Sequence, residues 1–313
     1  MDKIATREAF GNTLLELGEE DQDFMVLDAD ISRSTCSYLF HDKYPERALN
    51  LGLAEQNMMG VAAGLAASGI PIYATTYAVF ASMRALEQIR TFICYPDLNV
   101  KIIASHGGLQ VSSDGATHQG LEDIAIMRSL ANMTVVHPAD VTATKKLVKK
   151  SLDYKSPLYI RLMRNPVSTV YEEKIELEIG KGVLVQDEPG ADCTIIATGL
   201  MVGKALKAAS LLRQQDIKVK VLDIHTIKPI DEEIIIKSAQ ETGAVVTAED
   251  HNINGGLGSA VAEVLGENYP VPLKRIGVPD VYGESGDPEF LFTENKMNTE
   301  HIAEAVHLVV NKK

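Results

Sequence analysis

The sequence predicts an α/β protein of two domains, each a mostly parallel sheet covered by helices. Three observations carry that prediction. Short apolar, strand-like runs alternate with helical segments along most of the chain, the pattern of a parallel sheet with helices on both faces. The length of 313 residues is about twice that of a common domain of ~150 residues. Near the middle, residues 165–189 (NPVSTVYEEKIELEIGKGVLVQDEP) are charged and punctuated by Gly and Pro, as a linker is. The expected division is therefore a first domain over 1–170, a linker over 171–190 and a second domain over 191–313.

The elements follow in order. Residues 7–17 form a helix and FMVLDAD (24–30) a strand running into a loop. Residues 53–68, LAEQNMMGVAAGLAAS, are apolar nearly all round and predict a buried helix. PIYATT is a strand, FASMRALEQIRTFI a helix, and the apolar run NVKIIASH a central strand. A Gly/Ser loop follows, then a helix over 121–129, the strand MTVVHP, a helix over 139–152 and the strand PLYIRL. In the second domain DCTIIAT, IKVKVLDI, AVVTAED and LKRIGVPD are strands, and 204–213, 231–240, 256–265 and 299–310 are helices. Residues 58–83 carry no formal charge and are long enough to span a bilayer, but Gly69, Pro71 and the polar Thr75, Thr76 and Tyr77 make them helix, strand and helix start instead.

Composition excludes several classes. Thirty Lys plus Arg against 43 Asp plus Glu give a net charge of −13, and the pI is about 5.1. That balance argues against nucleic acid or an anionic membrane as partner. An apolar fraction of 45% excludes wholesale disorder. Cys36, Cys94 and Cys193 are odd in number and widely spaced, so no disulfide framework or zinc site is expected and a cytoplasmic location is. No apolar stretch follows the N-terminal charges, so no signal peptide is expected.

Ligands of parallel sheets sit at the carboxyl ends of strands. The loops there collect Asp28, Asp30, Ser32 and Ser34 after the first strand, His106, Asp114 and His118 in HGGLQVSSDGATHQG, and Arg164 after PLYIRL. Glu55 opens the buried helix with Met58 and Met59 one turn on. It reads either as an acid complementing the helix dipole or as a carboxyl set against an apolar wall, able to share a proton. His106 and His118 read either as solvated loop residues or, with Asp114 among glycines, as binders of a polar substrate. Their spacing matches no zinc pattern, and no metal ligand is expected on this chain. Arg164 is either a surface cation or a phosphate clamp. GGLGS (255–259) before a helix is an ordinary helix entry, with phosphate binding as the alternative. The loops of the second domain add Glu249, Asp250 and His251, and no GxxxxGK[ST], GxSxG or HExxH occurs.

Six stretches then stand in one order: ATREAFG, DADISRS, GLAEQNMMG, TTYAVFASMRA, ASHGGLQVSSDGATHQGLEDIAIMR and LMRNP. Together they resemble the pyrimidine-binding domain of transketolase. From Asp192 on, DIHTIKPID, GGLGSAVAEVL and RIGVPDVYGESG resemble the transketolase C-terminal domain. The chain is similar to the C-terminal half of a split, two-chain transketolase, and it lacks the Gly-Asp-Gly with a downstream Asn that holds the metal diphosphate in thiamine enzymes.

The resemblance implies a thiamine-diphosphate enzyme that moves a two-carbon ketol unit between sugar phosphates, in the pentose phosphate pathway. Glu55 would then sit on N1′ of the aminopyrimidine, with Tyr77 and Phe80 as its aromatic wall and Asp30 near the same ring. Asp114 and His118 would bond the donor hydroxyls and help polarise its carbonyl. His106, Arg7, Ser34 and Arg164 would gather the substrate phosphate. Met83 stands where the family often has a third aromatic against the cofactor, and Gln56 where transketolases often have His. Glu249 and His251 are expected to be structural or interface residues. The resemblance further implies that the cofactor's diphosphate and its Mg2+ or other divalent cation are held by an N-terminal partner subunit. Two of these chains would assemble with two partners, and this chain alone would be inactive. Three other readings remain: the β chain of a 2-oxoacid dehydrogenase first component, which would bind no sugar phosphate; a deoxyxylulose phosphate synthase half; and a non-catalytic binding subunit that keeps the fold.

Overall fold

A computed structural model describes residues 4–20 and 23–313. Among the described residues, twelve strands make two sheets. In chain order they are β1 Met25–Asp28, β2 Ala48–Asn50, β3 Ile72–Tyr77, β4 Val100–Ser105, β5 Thr134–Val136, β6 Leu158–Arg161, β7 Val183–Gln186, β8 Cys193–Ala197, β9 Val219–Asp223, β10 Thr226–Lys228, β11 Val245–Asn252 and β12 Leu273–Val278. The first sheet has the order β10-β5-β6-β4-β3-β1-β2 and the second β12-β11-β8-β9-β7. All pairings are parallel except β10 with β5 and β7 with β9. Strands β3, β4, β6 and β8 are buried along almost their whole length, as expected for strands covered on both faces.

Several elements depart from the sequence reading. The stretch read as a linker contributes β7, which pairs antiparallel with β9 and so belongs to the second sheet. It is also pinned: Asp140, the N-cap of the helix Val141–Asp153, accepts from Val170 N at 2.7 Å and Tyr171 N at 2.8 Å. Strand β10 belongs by sequence to the second domain but pairs with β5, so one sheet draws on both halves of the chain. The expected helix over 80–93 is a distorted run. Phe80–Arg84 and Ile89–Cys94 are π-helical around a short turn at Leu86–Gln88, with Ala85 N–H reaching back to Phe80 O and Tyr95 N–H to Arg90 O. Such wide turns recur at functional sites.

The helix Glu55–Ala67 is buried on one side only. Met58, Met59, Ala62, Ala63 and Ala66 pack in the core that holds Leu27, Ile72 and Ala74, whereas Gln56, Asn57, Gly64 and Ala67 are exposed. The expectation of burial all round is corrected for the single chain. Among the described residues, no helix is long and apolar enough to cross a membrane. Cys36, Cys94 and Cys193 are free and buried.

Candidate active site

The carboxyl ends of β1, β3, β4 and β6 converge on one edge of the first sheet. Glu55 is the first residue of its helix and is 1% exposed. Its carboxylate is not left against apolar surroundings: Arg84 Nη1 donates to Oε1 at 3.0 Å and to Oε2 at 2.9 Å. The same guanidinium lies over the Phe80 ring, 4.2 Å from its centroid. Phe80 and Arg84 stand four positions apart in one helical turn, a spacing that sets both on the same face.

Phe80 stacks with Tyr77, ring centroids 5.9 Å apart. Tyr77 packs on His106 at 4.1 Å, and both aromatic rings meet His118 edge-on, at 6.2 Å from Tyr77 and 5.3 Å from Phe80. His106 is 2% exposed, and its Nδ1 bonds Ser105 Oγ at 2.8 Å. Burial, with Arg7, Arg164 and His118 nearby, pushes its pKa down to about 3. It is therefore a neutral hydrogen-bonding ring at neutral pH, not a third cation for a phosphate. Thr117 Oγ1 bonds His118 Nδ1 at 2.9 Å and orients that ring.

Arg164 joins the two ends of the site. Its Nη1 donates to Val111 O at 2.5 Å and to Asp114 Oδ2 at 3.3 Å. Arg7 Nε donates to Arg164 O at 3.0 Å and Arg7 Nη1 to Ser34 O at 2.7 Å. Arg7, Ser34, Arg164 and Asp114 thus form one polar cluster beside His106, and a cleft of about 490 Å³ opens beside it, lined among others by Arg7, Arg33 and Tyr38. The buried Asp28 organises the loop after β1 by accepting from Ile31 N–H, Thr75 Oγ1 and Ser37 Oγ.

Two expected cofactor contacts are not brought into this network. Asp30 is exposed, with a φ of 64°, and accepts from Asn50 Nδ2 at 2.8 Å, so its side chain is tied to the end of β2 rather than to Tyr77 or Phe80. Met83 stands one turn past Phe80, 46% exposed. One residue escaped the sequence reading: Arg84, which looks like any solvated helix cation until the fold brings Glu55, 29 residues away, onto its guanidinium. In the second domain, Glu249 accepts from Leu257 N at 2.7 Å and Gly258 N at 2.8 Å. It fills the helix start at GGLGS that could otherwise have taken a phosphate, so that run is an ordinary helix entry.

The arrangement offers a buried carboxylate with one cationic partner, an aromatic wall beside it, and a polar mouth with two arginines. That donor set fits a flat heteroaromatic ring with a protonatable nitrogen, next to a hydroxylated anion. Among the described residues, no group of acidic, His and Cys side chains could hold a metal ion.

Comparison with known proteins agrees with this geometry. Residues 2–169 match the family model of the transketolase pyrimidine binding domain, and residues 180–302 that of the transketolase C-terminal domain. The chain is 47% identical over 303 residues to a protein of Methanocaldococcus jannaschii described as a transketolase C-terminal section, covering 96% of this chain and 94% of that one. It is 42% identical over 307 residues to a 6-deoxy-6-sulfo-D-fructose transketolase subunit of a Clostridium species, covering 98% and 95%. Among solved structures it superposes on a split-gene transketolase, described as an inactive beta4 tetramer, with a TM-score of 0.91, 48% identity and 99% coverage of both chains. The chain belongs to the transketolase family, of which it comprises the pyrimidine-binding and C-terminal domains.

Proposed function

We propose that this chain is the C-terminal subunit of a thiamine-diphosphate-dependent transketolase that transfers a two-carbon ketol unit between sugar phosphates. One observation carries the reading: an unbroken run of contacts joins Glu55, Arg84, Phe80, Tyr77 and His106, and it ends beside the cluster of Arg7, Arg164 and Asp114. When bound, thiamine diphosphate supplies the nucleophilic carbon that carries the ketol unit. Glu55 is the residue to hold a proton between its carboxyl oxygen and N1′ of the aminopyrimidine. Each carboxyl oxygen keeps a second lone pair beside its Arg84 bond. Tyr77 and Phe80 provide the apolar face on which that ring stacks.

Asp114 and His118 are assigned to the donor hydroxyls, and His118 to the donor carbonyl as a hydrogen-bond donor. Arg7 and Arg164 supply positive charge for the substrate phosphate, with Ser34 and the neutral His106 as hydrogen-bonding groups. Asp30 and Met83 border the cofactor rather than grip it. Mg2+ or a similar divalent cation, with the diphosphate, is assigned to a partner subunit, as the likeness to split transketolase subunits implies. The exposed face of the helix Glu55–Ala67 with Leu53, Met83 and Phe92 supports burial in such an assembly of two chains with two partners. Three free thiols support a cytoplasmic setting.

The test is reconstitution with the cognate subunit carrying the diphosphate-binding domain. The pair should transfer ketol units from a ketose phosphate in the presence of thiamine diphosphate and Mg2+, and the chain alone should not. Glu55→Gln should lower turnover of the pair by at least about a hundredfold, the scale of a lost general acid–base group, with unchanged thermal unfolding. Near-native turnover in that variant would remove Glu55 from the mechanism.

A further inference from the structure

The C-terminal domain holds none of the residues assigned to cofactor or substrate, yet it grips the loop that carries Asp114 and His118. The two ends of that loop are closed on each other: Gly107 and Gly120 form a parallel bridge, and Gly108 N–H donates to Gly120 O at 2.9 Å. Along its course the second domain reaches it repeatedly. At the entry, Leu109 N–H donates to the buried Asp250 Oδ1 at 2.9 Å. In the middle, Ser112 Oγ donates to Gly286 O at 2.9 Å, and Gly286 N–H returns a long bond of 3.5 Å to Ser112 O. Near the exit, Gln119 Nε2 donates to Glu284 O at 2.9 Å, and Asn252 N–H donates to Leu121 O at 2.9 Å.

The fit is close as well as polar. A Cβ on Gly283 would collide with the Gln119 amide, and one on Gly115 would press on Ser285 Oγ. Ser112 has φ 66° and ψ −118°, inside a segment otherwise of 3₁₀ type. A serine keeps such a conformation only where its surroundings impose it. The imposing groups are visible: both Ser112 bonds to Gly286, and Gly115 N–H to Ser112 O at 3.3 Å. Asp114 lies between Ser112 and Gly115, and His118 directly precedes Gln119.

We propose that residues 283–286 of the C-terminal domain are a positioning strap, acting through Ser112 and Gln119 to set where Asp114 and His118 meet the donor sugar. This rests on the substrate assignment of Asp114 and His118. The strap bonds through backbone groups, the carbonyls of Glu284 and Gly286 and the N–H of Gly286, so it fixes loop position independently of its own side chains. Ser112 and Gln119 are positioning residues, and the C-terminal domain thereby acquires a part in donor selection.

The test uses the chain assembled with its diphosphate-binding partner. Gln119→Met keeps the length and removes the donor; Ser112→Ala removes the hydroxyl. Combined, they should raise the donor KM about tenfold, the effect of losing a well-made hydrogen bond or two, with kcat and cofactor affinity nearly unchanged. Amide hydrogen exchange across residues 112–119 should speed up about tenfold while that of the helix Glu55–Ala67 stays constant. In an Asp114→Asn background Ser112→Ala should change KM much less, since its effect runs through Asp114. Gly283→Ala, which pushes on Gln119 from the strap side, should reproduce both shifts with Ser112 and Gln119 intact. An unchanged donor KM in an active assembly overturns the strap, as does unchanged exchange. If the wild-type assembly transfers no ketol unit, the functional reading falls instead, and exchange alone decides the strap.

Discussion

In the proposed function Arg164 serves two duties. The sequence reading gives it only the substrate phosphate, but its Nη1 also holds Val111 O and Asp114 Oδ2. Arg164→Ala should therefore raise KM for every ketose a little, by loosening Asp114, and for phosphorylated ketoses much more. A charge-assisted bond of about 1.5–3 kcal/mol corresponds to roughly ten- to a hundredfold. KM values for a ketose phosphate and for the same sugar unphosphorylated check this, and equal rises would leave Arg164 with the loop alone. Glu55, Asp114 and His118 stand out in the sequence as candidates because an acid at the head of an apolar helix, and two polar groups amid glycines, are unusual combinations. His106 is legible as a site residue but not as a neutral one. Its proton affinity is set by burial and by Arg7 and Arg164, which the fold brings in from both ends of the first domain. Arg84 is not legible at all, because its partner Glu55 stands 29 residues away and only the fold brings the two together.

At the scale of elements, long periodic segments are read well and short ones are not. The helix Thr299–Val310 is found where its apolar spacing puts it. Strands β2, β7 and β10 have three or four residues each, too few for a period to emerge, and β7 lies within charged, Gly- and Pro-broken surroundings. The helix Leu257–Asn268 exposes a different limit. Its Gly-rich start is compatible with a bound phosphate until β11 brings Glu249 onto its first N–H groups. Burial pushes the Glu249 pKa up to about 7, against the pull of those same backbone bonds. Glu249→Ala leaves two buried helix-start N–H groups without their acceptor, and should cost roughly 1–2 kcal/mol of stability, the scale of a lost helix cap. Urea unfolding of the variant measures the cost. Its KM for sugar phosphates, in the assembled enzyme, should stay at the wild-type value, and a large rise in KM with no loss of stability would return the phosphate reading to this helix.

At the scale of the molecule, the two domains are bolted together by polar groups that water does not reach. Arg161 and Asp123, both fully buried in the first domain, pair at 2.8 Å, Tyr159 donates to the same carboxylate, and the buried Asp250 of the second domain lies near enough to add its charge to that of Asp123 on the guanidinium. His137 N–H donates to His225 O, Thr198 Oγ1 to His137 O, and Ala125 N–H to His251 Nε2. The linker is fastened in the same way: Tyr171 OH donates to Asp223 Oδ2 at 2.6 Å, while Asp223 Oδ1 is buried without a partner. Burial pushes the Asp223 pKa up from 3.8 to about 8, opposed by the Tyr171 bond and helped by Asp140. A raised carboxyl means that the folded chain holds a proton which the unfolded chain has already released. The contribution of Asp223 to stability is then fully present below about pH 3.8 and is lost as the pH rises through about 8. Asp223→Asn keeps an acceptor for Tyr171 but cannot ionise. Its stability relative to wild type should therefore improve steadily from pH 5 to pH 8.5, by at most ~1.4 kcal/mol per pH unit. Urea unfolding of both proteins at those two pH values isolates this one group, because every other titration cancels in the difference. A gap that does not move with pH would mean that Asp223 is already ionised in the folded chain, and that the linker is held by a charge rather than by a neutral acid.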